Sequence, residues 1–197
     1  MSEPILIHSY SKMGDAERAE LLKRTEDDLA PFMQQVAPVI DAVRDEGDEA
    51  LRRFARQFDG ADLSDTSICA SPADFDAAFD MLAPELIDAL SYAADNIRRY
   101  HERQLPEPDW RMEIRPGVEV GERSFPLERV ALYSPRGKCS FPSVTLMTAI
   151  PAVVAGVEQP VILTPPMADG RIDPATLVAA RLAGVEMVCK AGGAQAV

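Results

Sequence analysis

The last third of the chain alternates short apolar runs with helix-like stretches, and this alternation limits the possible folds more than any other feature of the sequence. Strands are expected at residues 130–133, 161–164 and 185–189, and helices at 143–156 and 174–183. Apolar strands separated by helices form parallel sheets, because each helix crosses over to return the next strand in the same direction. Residues 129–197 are therefore predicted to form a partial Rossmann-like parallel β/α domain, with another helix beginning at Gly193.

Helical patterns dominate the first two thirds of the chain. Apolar residues recur at helical spacing over residues 36–58, with a break at Gly47-Asp48, where glycine ends one helix and aspartate begins the next. Ser71-Pro72 with Asp74 is the signature of a capping box and predicts a helix through Leu82. Pro84 begins a longer helix to about Gln104, whose apolar face is predicted to comprise Leu86, Ile87, Leu90, Ala94, Ile97 and Tyr100.

A β-hairpin is expected between the helical region and the parallel sheet. Residues 110–115 and 118–123 alternate in polarity on either side of the Pro116-Gly117 turn. The predicted fold class is therefore α/β, with a helical N-terminal region and a β-hairpin followed by the parallel β/α domain. We expect three parts: a tail and helix over 1–28, the helical part and hairpin of a first, incomplete domain over 29–128, and the β/α domain over 129–197.

The charge balance and the cysteines exclude several classes of protein. Lys and Arg number 20 against 32 Asp and Glu, a net charge of −12 that repels nucleic-acid backbones. A basic, apolar leader is absent at the N-terminus, and no stretch reaches the roughly 18 apolar residues of a membrane span, so we expect a soluble cytoplasmic protein. Cys69, Cys139 and Cys189 are odd in number and widely spaced, which predicts free thiols.

Two strand-to-helix loops are candidates for ligand binding. Tyr133 ends the first parallel strand and begins the loop Tyr133-Ser-Pro-Arg-Gly137, which leads to the next helix. Gly192-Gly-Ala-Gln195 follows the third strand in the same way. Glycines let the backbone approach a ligand, and the carboxyl edge of a parallel sheet is where open α/β folds bind theirs. An ordinary βα loop with a core tyrosine and a tight turn with a capping glutamine are the structural alternatives. Neither loop contains GxGxxG.

The remaining polar candidates favour structural roles. His8 and His101 are expected at the surface, and no His, Cys, Asp and Glu spacing indicates a metal site. Cys139 follows Lys138, which can lower the pKa of a thiol, but a passive thiol is the simpler interpretation. Ser143 is predicted to cap its helix because it has no nucleophile motif around it.

The sequence from Arg129 onward resembles the histidinol dehydrogenase family. The resemblance rests on Val-Ala-Leu-Tyr-Ser-Pro-Arg-Gly at 130–137, the helix from Ser143 to Gly156, the Thr164-Pro-Pro turn, and Ala183-Gly-Val leading to Gly192-Gly-Ala-Gln-Ala. The helical half agrees more loosely, through Val43-Arg44 with Gly47-Asp48 and through Phe58-Asp59.

The resemblance implies a homodimeric zinc enzyme that oxidises L-histidinol to L-histidine with two NAD in succession, in histidine biosynthesis. Tyr133 and Gln195 match the family's NAD-binding tyrosine and glutamine. The resemblance places the other cofactor contact, the substrate-binding residues, the proton-handling Glu-His pair and the zinc ligands in segments after Val197. The chain is therefore expected to be the N-terminal, NAD-side portion of such an enzyme, truncated, inactive alone and weak in NAD binding, with uncovered apolar surface and a tendency to form homo-oligomers.

Arg136 departs from the family pattern, which usually has Pro-Gly-Gly after the tyrosine. If the replaced glycine used a positive φ, Arg136 would be strained by roughly 1 kcal/mol or more. The added cation leaves room for a sister dehydrogenase that acts on another alcohol, such as a sulfonated diol. A non-catalytic remnant that binds a nucleotide or a protein partner is the alternative from a different class.

Overall fold

The computed structural model describes residues 7–22, 29–137 and 139–196. They divide into two units, Met1–Val39 and Ile40–Val197. The first unit contains a 3-10 turn at Tyr10–Lys12, helix α1 at Asp15–Leu22 and the start of helix α2, Ala30–Glu46. The boundaries that we expect after residues 28 and 128 stay predictions.

The predicted break between the first long helices is confirmed. Gly47 separates α2 from α3, Asp48–Phe54, and has a φ of 58°, in the region that favours glycine. A π-helical turn at Ala55–Asp59 extends α3, and Gly60 ends it in the left-handed conformation.

The predicted capping box begins helix α4, Pro72–Met81. The Ser71 hydroxyl accepts a hydrogen bond from the backbone N–H of Asp74, and the Asp74 carboxylate accepts one from the backbone N–H of Ser71 at 2.7 Å. These reciprocal bonds satisfy two of the donors that a helix start leaves free.

Helix α5, Pro84–Glu102, buries a narrower face than its sequence predicts. Leu90 and Ala94 are buried, whereas Leu86 is 43% and Tyr100 63% exposed. The predicted stripe was wrong at these two positions. The helices that pack on α5 are Pro142–Val154 and Pro174–Ala183, and they cover only the middle of its apolar face. Among the described helices, none has the length and apolar content to cross a membrane.

The predicted β-hairpin is present as an antiparallel pair. Strand β1, Trp110–Arg115, pairs with β2, Val118–Glu122, and every residue of both strands is exposed. The apolar side chains left in contact with solvent are Trp110, Met112, Ile114, Val118 and Val120.

The parallel sheet has the predicted β-α-β-α-β order. The elements are β3 at Arg129–Tyr133, α6 at Pro142–Val154, β4 at Gln159–Thr164, α7 at Pro174–Ala183, β5 at Met187–Lys190, and a 3-10 turn at Gly193–Ala196. The strands lie side by side in the order β3-β4-β5, and both pairings are parallel. The α/β fold class is therefore confirmed.

The main core lies between the sheet and its covering helices. The register aligns Leu132, Ile162 and Val188 in one row across the three strands. This row packs against buried residues of α6 and α7, among which Ile150 and Val178 have no exposed surface. Helix α5 packs on α6 and α7, and α4 packs on α7. The other face of the sheet carries the row of Tyr133, Leu163 and Cys189.

A short segment from the helical region is joined to β5 by a disulfide. Ala70 donates a backbone hydrogen bond to Val188, Lys190 donates one to Ile68, and Cys69 lies opposite Cys189. The sulfur atoms of Cys69 and Cys189 are bonded, so the prediction of three free thiols was wrong. Cysteine spacing cannot reveal this pair, because 120 residues separate its members and the antiparallel pairing alone brings them together.

Thiol titration tests this bond directly. Denatured chain without reductant is expected to expose one thiol, that of Cys139, which is the free and exposed cysteine. Cys69→Ser is expected to lower the free energy of unfolding by about 2–4 kcal/mol, since it opens a long covalent loop. Cys139→Ser is the matched control and is expected to leave stability unchanged in urea denaturation. Three titratable thiols would contradict the pairing.

Candidate functional site

The carboxyl ends of the three parallel strands form the candidate site. β3, β4 and β5 end at Tyr133, Thr164 and Lys190 along one edge of the sheet. The loops that follow β3 and β5 are those that carry the predicted ligand residues. This edge is where open α/β sheets leave a crevice for ligands.

The structure brings the two predicted loops into contact. The hydroxyl of Tyr133 accepts a hydrogen bond of 3.1 Å from the backbone N–H of Gly193. β4 lies between β3 and β5, so the two loops follow strands that are not neighbours. The tyrosine side chain is long enough to reach across β4, so the two loops still meet.

Each glycine of the Gly192-Gly193 pair has a structural reason of its own. Gly193 has a φ of 55°, which L side chains rarely adopt. A Cβ at Gly192 would lie 2.7 Å from the Cγ of Pro165, so only glycine fits against that ring. The turn therefore requires both glycines even without a ligand, as in the structural alternative for this loop.

Gln195 is folded back over the turn. Its side chain is 5% exposed, and its Oε1 lies 3.1 Å from the position that a Cβ on Gly193 would occupy. In the part of the chain that the structure describes, the Gln195 amide makes no hydrogen bond. An amide that makes no hydrogen bond within the described residues retains both its donor and its acceptor for another molecule.

The loop after β3 is fastened to the first turn of α6. The buried hydroxyls of Ser134 and Thr145 share a hydrogen bond of 2.8 Å. α6 begins at Pro142 with Phe141 as its N-cap, so the prediction that Ser143 caps the helix was wrong. Proline at the first helical position moved the start one residue earlier. Cys139 is exposed, and Lys138 lies outside the described residues.

Arg136 is unstrained and faces a buried carboxylate. Every described residue with a positive φ is a glycine, so Arg136 does not carry the strain that loss of a left-handed glycine would cause. Burial raises the pKa of the Asp59 carboxyl, and the nearby positive charge of Arg136 opposes this shift. The Oδ2 atom of Asp59 is buried without a hydrogen-bond partner.

Neither histidine takes part in a metal cluster. His8 lies 3.9 Å from a carboxylate oxygen of Glu17, and His101 packs edge-on against Tyr100. The described residues contain no group of three His, Cys, Asp or Glu side chains placed to hold a metal ion.

Sequence reasoning missed two charged residues beside this edge, Asp59 and Lys190. Lys190 is only 8% exposed although it ends a strand. A lysine directly after the apolar residues Met187-Val-Cys189 is the signal that could have identified it. Asp59 had no such signal, because it follows an ordinary helical pattern.

Comparison with known proteins gives matches that cover most of the chain. The family model described as histidinol dehydrogenase matches residues 22–197. A histidinol dehydrogenase homolog of Rhizobium meliloti is 53% identical over 193 residues, which are 98% of this chain and 42% of the relative. The histidinol dehydrogenase of Methanosarcina barkeri is 44% identical over 98% of this chain and 44% of its own length.

A solved structure agrees with these matches. The crystal structure of histidinol dehydrogenase from Elizabethkingia anophelis superposes with a TM-score of 0.79 and 35% identity, covering 89% of this chain and 39% of that one. The chain thus spans about two fifths of the length of the relatives that it matches.

The Asp59 carboxyl predicts an unusual pH dependence of stability. Because its pKa is raised in the folded state, its contribution is fully present below the unfolded pKa and is lost as pH rises through the folded one. Asp59→Asn is therefore expected to raise the free energy of unfolding at pH 7 by about 1 kcal/mol. This value is at the low end of the cost of a buried polar group without a partner, because the Asp59 carboxyl is only partly buried. Urea denaturation from pH 4 to pH 8 measures the gain, which is expected to shrink as pH falls.

Asp62→Asn is the control of opposite sign. Hydrogen bonds from Ser64 and Arg56 hold the pKa of Asp62 well below its usual range. Its stabilising contribution is present at neutral pH and decreases in acid, so this variant is expected to be less stable than the wild type at pH 7. Equal pH profiles for the two variants would contradict the assignment of Asp59.

Proposed function

The chain belongs to the histidinol dehydrogenase family, and from this premise we propose that it is the NAD-side portion of an enzyme that oxidises L-histidinol to L-histidine. In this proposal Tyr133 and Gln195 contact the cofactor. The substrate-binding and proton-transfer steps depend on sequence that the relatives have beyond the matched region. The full-length enzyme in this proposal is a homo-oligomer that acts on a small molecule.

The contact between Tyr133 and Gly193 is the observation that carries the proposal. It brings the loops after β3 and β5 to one place at the carboxyl edge of the sheet. A nucleotide site requires such convergence of polar groups on a crevice.

The residues present fit a nicotinamide dinucleotide. The Tyr133 ring is 43% exposed and offers a stacking face, while its hydroxyl retains a hydrogen to donate. The unpartnered amide of Gln195 suits a ribose or a carboxamide. At the N-terminus of α6, Pro142 has no N–H and Val144 donates to the Phe141 carbonyl, so the backbone N–H of Ser143 is the one that remains in this first turn for a phosphate. The cofactor, when bound, accepts the hydride; the residues of this chain bind and orient it.

Zinc does not fit the described residues, because they include no group that could hold a metal. We therefore assign no part of the metal chemistry of the family to this chain.

A second candidate is a sister dehydrogenase that oxidises another alcohol, such as a sulfonated diol. Four relatives at 47–55% identity are named histidinol dehydrogenase homologs, whereas four named histidinol dehydrogenase share 43–48%. Arg136 also supports this candidate, since it places a cation in the loop where an anionic substrate group would find a partner.

Calorimetric titration of NAD into the chain tests the cofactor site. Binding is expected in the millimolar range, about 4 kcal/mol, because few contacts are available to offset the lost freedom of a flexible ligand. Tyr133→Ala is expected to abolish measurable binding, and Tyr133→Phe to weaken it by removing the hydroxyl. Tyr92→Ala, on an exposed position of α5, is the matched control and is expected to bind as the wild type does.

Arg136→Gly extends the same titration. Because Arg136 is unstrained, glycine is expected to give no tighter binding than arginine. Tighter binding would show that the arginine obstructs the site, and micromolar binding that survives Tyr133→Ala would place the cofactor elsewhere.

The purified chain is expected to form no NADH from histidinol with zinc supplied, because it spans only about two fifths of the length of its relatives. Absorbance at the NADH band measures this, with a full-length relative as the positive control. Turnover above background would contradict the proposed division of roles.

A further inference from the structure

Lys190 is a buried cation for which the described residues provide no partner. Its side chain is 8% exposed, and it makes neither a hydrogen bond nor an ion pair within 4.0 Å in the described part of the chain. Burial lowers the pKa of Lys190, with Asp74 and Asp169 opposing the shift and Arg52 adding to it. Buried lysines are rare unless they are paired, so this one requires a reason.

The two carboxylates that act on Lys190 are already engaged elsewhere. Asp74 accepts bonds of 2.7 Å from both the backbone N–H and the hydroxyl of Ser71, within the capping box of α4. Asp169 lies 2.7 Å from the guanidinium of Arg171. Each carboxylate is therefore held by another donor, and neither forms an ion pair with Lys190, although both attract its charge from a distance.

Lys190 lines a cavity of about 60 Å³ between α4, α7 and the end of β5. Alanine and other aliphatic side chains form most of its wall, among them Ala70, Ala77, Ile172 and Leu177. The polar groups at the wall are Lys190, Arg171 and Asp74, whose carboxylate already accepts hydrogen bonds from Ser71. The cavity is thus a largely apolar space with two cations in its wall, of which Arg171 is paired with Asp169 and Lys190 is buried without an ion pair among the described residues.

We propose that this cavity binds the carboxylate of a small aliphatic acid, with Lys190 as the group that holds it. The anion supplies the hydrogen-bond acceptor that the lysine lacks, and the alkyl body lies against the alanines. This site differs from the proposed nucleotide site.

The volume and the wall decide which anion fits. One water needs about 10–15 Å³ of such space, so the cavity holds roughly four to six non-hydrogen atoms. Acids of two to four carbons have this size. Phosphate has a suitable size as well, but its oxygens have no further donors on the aliphatic part of the wall, and burying them there is unfavourable.

The register separates this cavity from Tyr133. Successive residues of a strand point to opposite faces, so Lys190 lies on the face of α7, while Cys189 lies in the row of Tyr133. A ligand beside Lys190 therefore leaves the tyrosine free, and loss of NAD binding and loss of acid binding are separable results.

Ligand-observed NMR with sodium butyrate tests the proposal on the full chain. Saturation transfer to butyrate is expected with the wild type, and Lys190→Met is expected to reduce its affinity about tenfold or more, since a charged hydrogen bond is lost. Lys12→Met, at an exposed lysine on the 3-10 turn, is the matched control and is expected to retain the signal. Ala77→Leu places a larger side chain in the cavity wall while Lys190 itself is unchanged, and it is expected to abolish binding.

Two further ligands identify what is recognised. Butylammonium has the same alkyl body with the opposite charge and is expected to give no signal. Inorganic phosphate is expected not to displace butyrate at equal concentration. The proposal would be overturned if butyrate and butylammonium gave equal signals or if phosphate displaced butyrate. It would also be overturned if the wild type gave no butyrate signal or if Lys190→Met kept the full signal.

Thermal melting distinguishes a binding lysine from a structural one. If Lys190 serves a ligand, Lys190→Met removes an unpaired buried charge and is expected to raise the melting temperature by about 2–4 °C. A structural lysine would give a lower melting temperature on replacement, and that result would overturn the proposal. If Lys190→Met fails to fold, Ala77→Leu still decides the outcome, since its retention of butyrate binding would exclude this cavity.

Discussion

The parallel pairing of β3, β4 and β5 is the constraint on which the rest of the structure depends. It places Tyr133, Thr164 and Lys190 at one edge and aligns Leu132, Ile162 and Val188 under the covering helices. Because side chains alternate along each strand, a shift of one residue in register would turn that apolar row away from the helices and bring the row of Tyr133, Leu163 and Cys189 under them. The candidate edge and the core are therefore specified by the same backbone pairing.

Local chemistry explains which parts of the fold could be predicted. The capping box of α4 and the break at Gly47 depend on residues adjacent in sequence, and the strand–helix alternation depends on periodicity, so all of these were predictable. The disulfide and the exposure of Tyr100 depend on which distant elements pack together. Cys69 lies opposite Cys189 through the antiparallel pairing of two segments 120 residues apart, and periodicity contains no information on that pairing.

The candidate site divides in the same way. The convergence of the loops after β3 and β5 follows from parallel topology, which the sequence indicates, and the contact between Tyr133 and Gly193 agrees with it. The burial of Lys190 was not predictable, since it requires α4 and α7 to close over the end of β5. The absence of backbone strain at Arg136 could not be predicted from the sequence either, because the family resemblance does not give the φ angle of the glycine that Arg136 replaces.

The last residues of β5 show how one strand can serve two sites. Cys189 and Lys190 are adjacent, yet one side chain lies in the row of Tyr133 and the other lines the cavity beside α7. Residues 68–70 pair with this strand and the disulfide fixes the pairing, so the backbone of β5 has little freedom to move. The turn at Gly192 and Gly193 that follows β5 packs against Pro165 on one side and donates a hydrogen bond to the Tyr133 hydroxyl on the other. It therefore belongs to the site of Tyr133, while Lys190 belongs to the cavity beside α7.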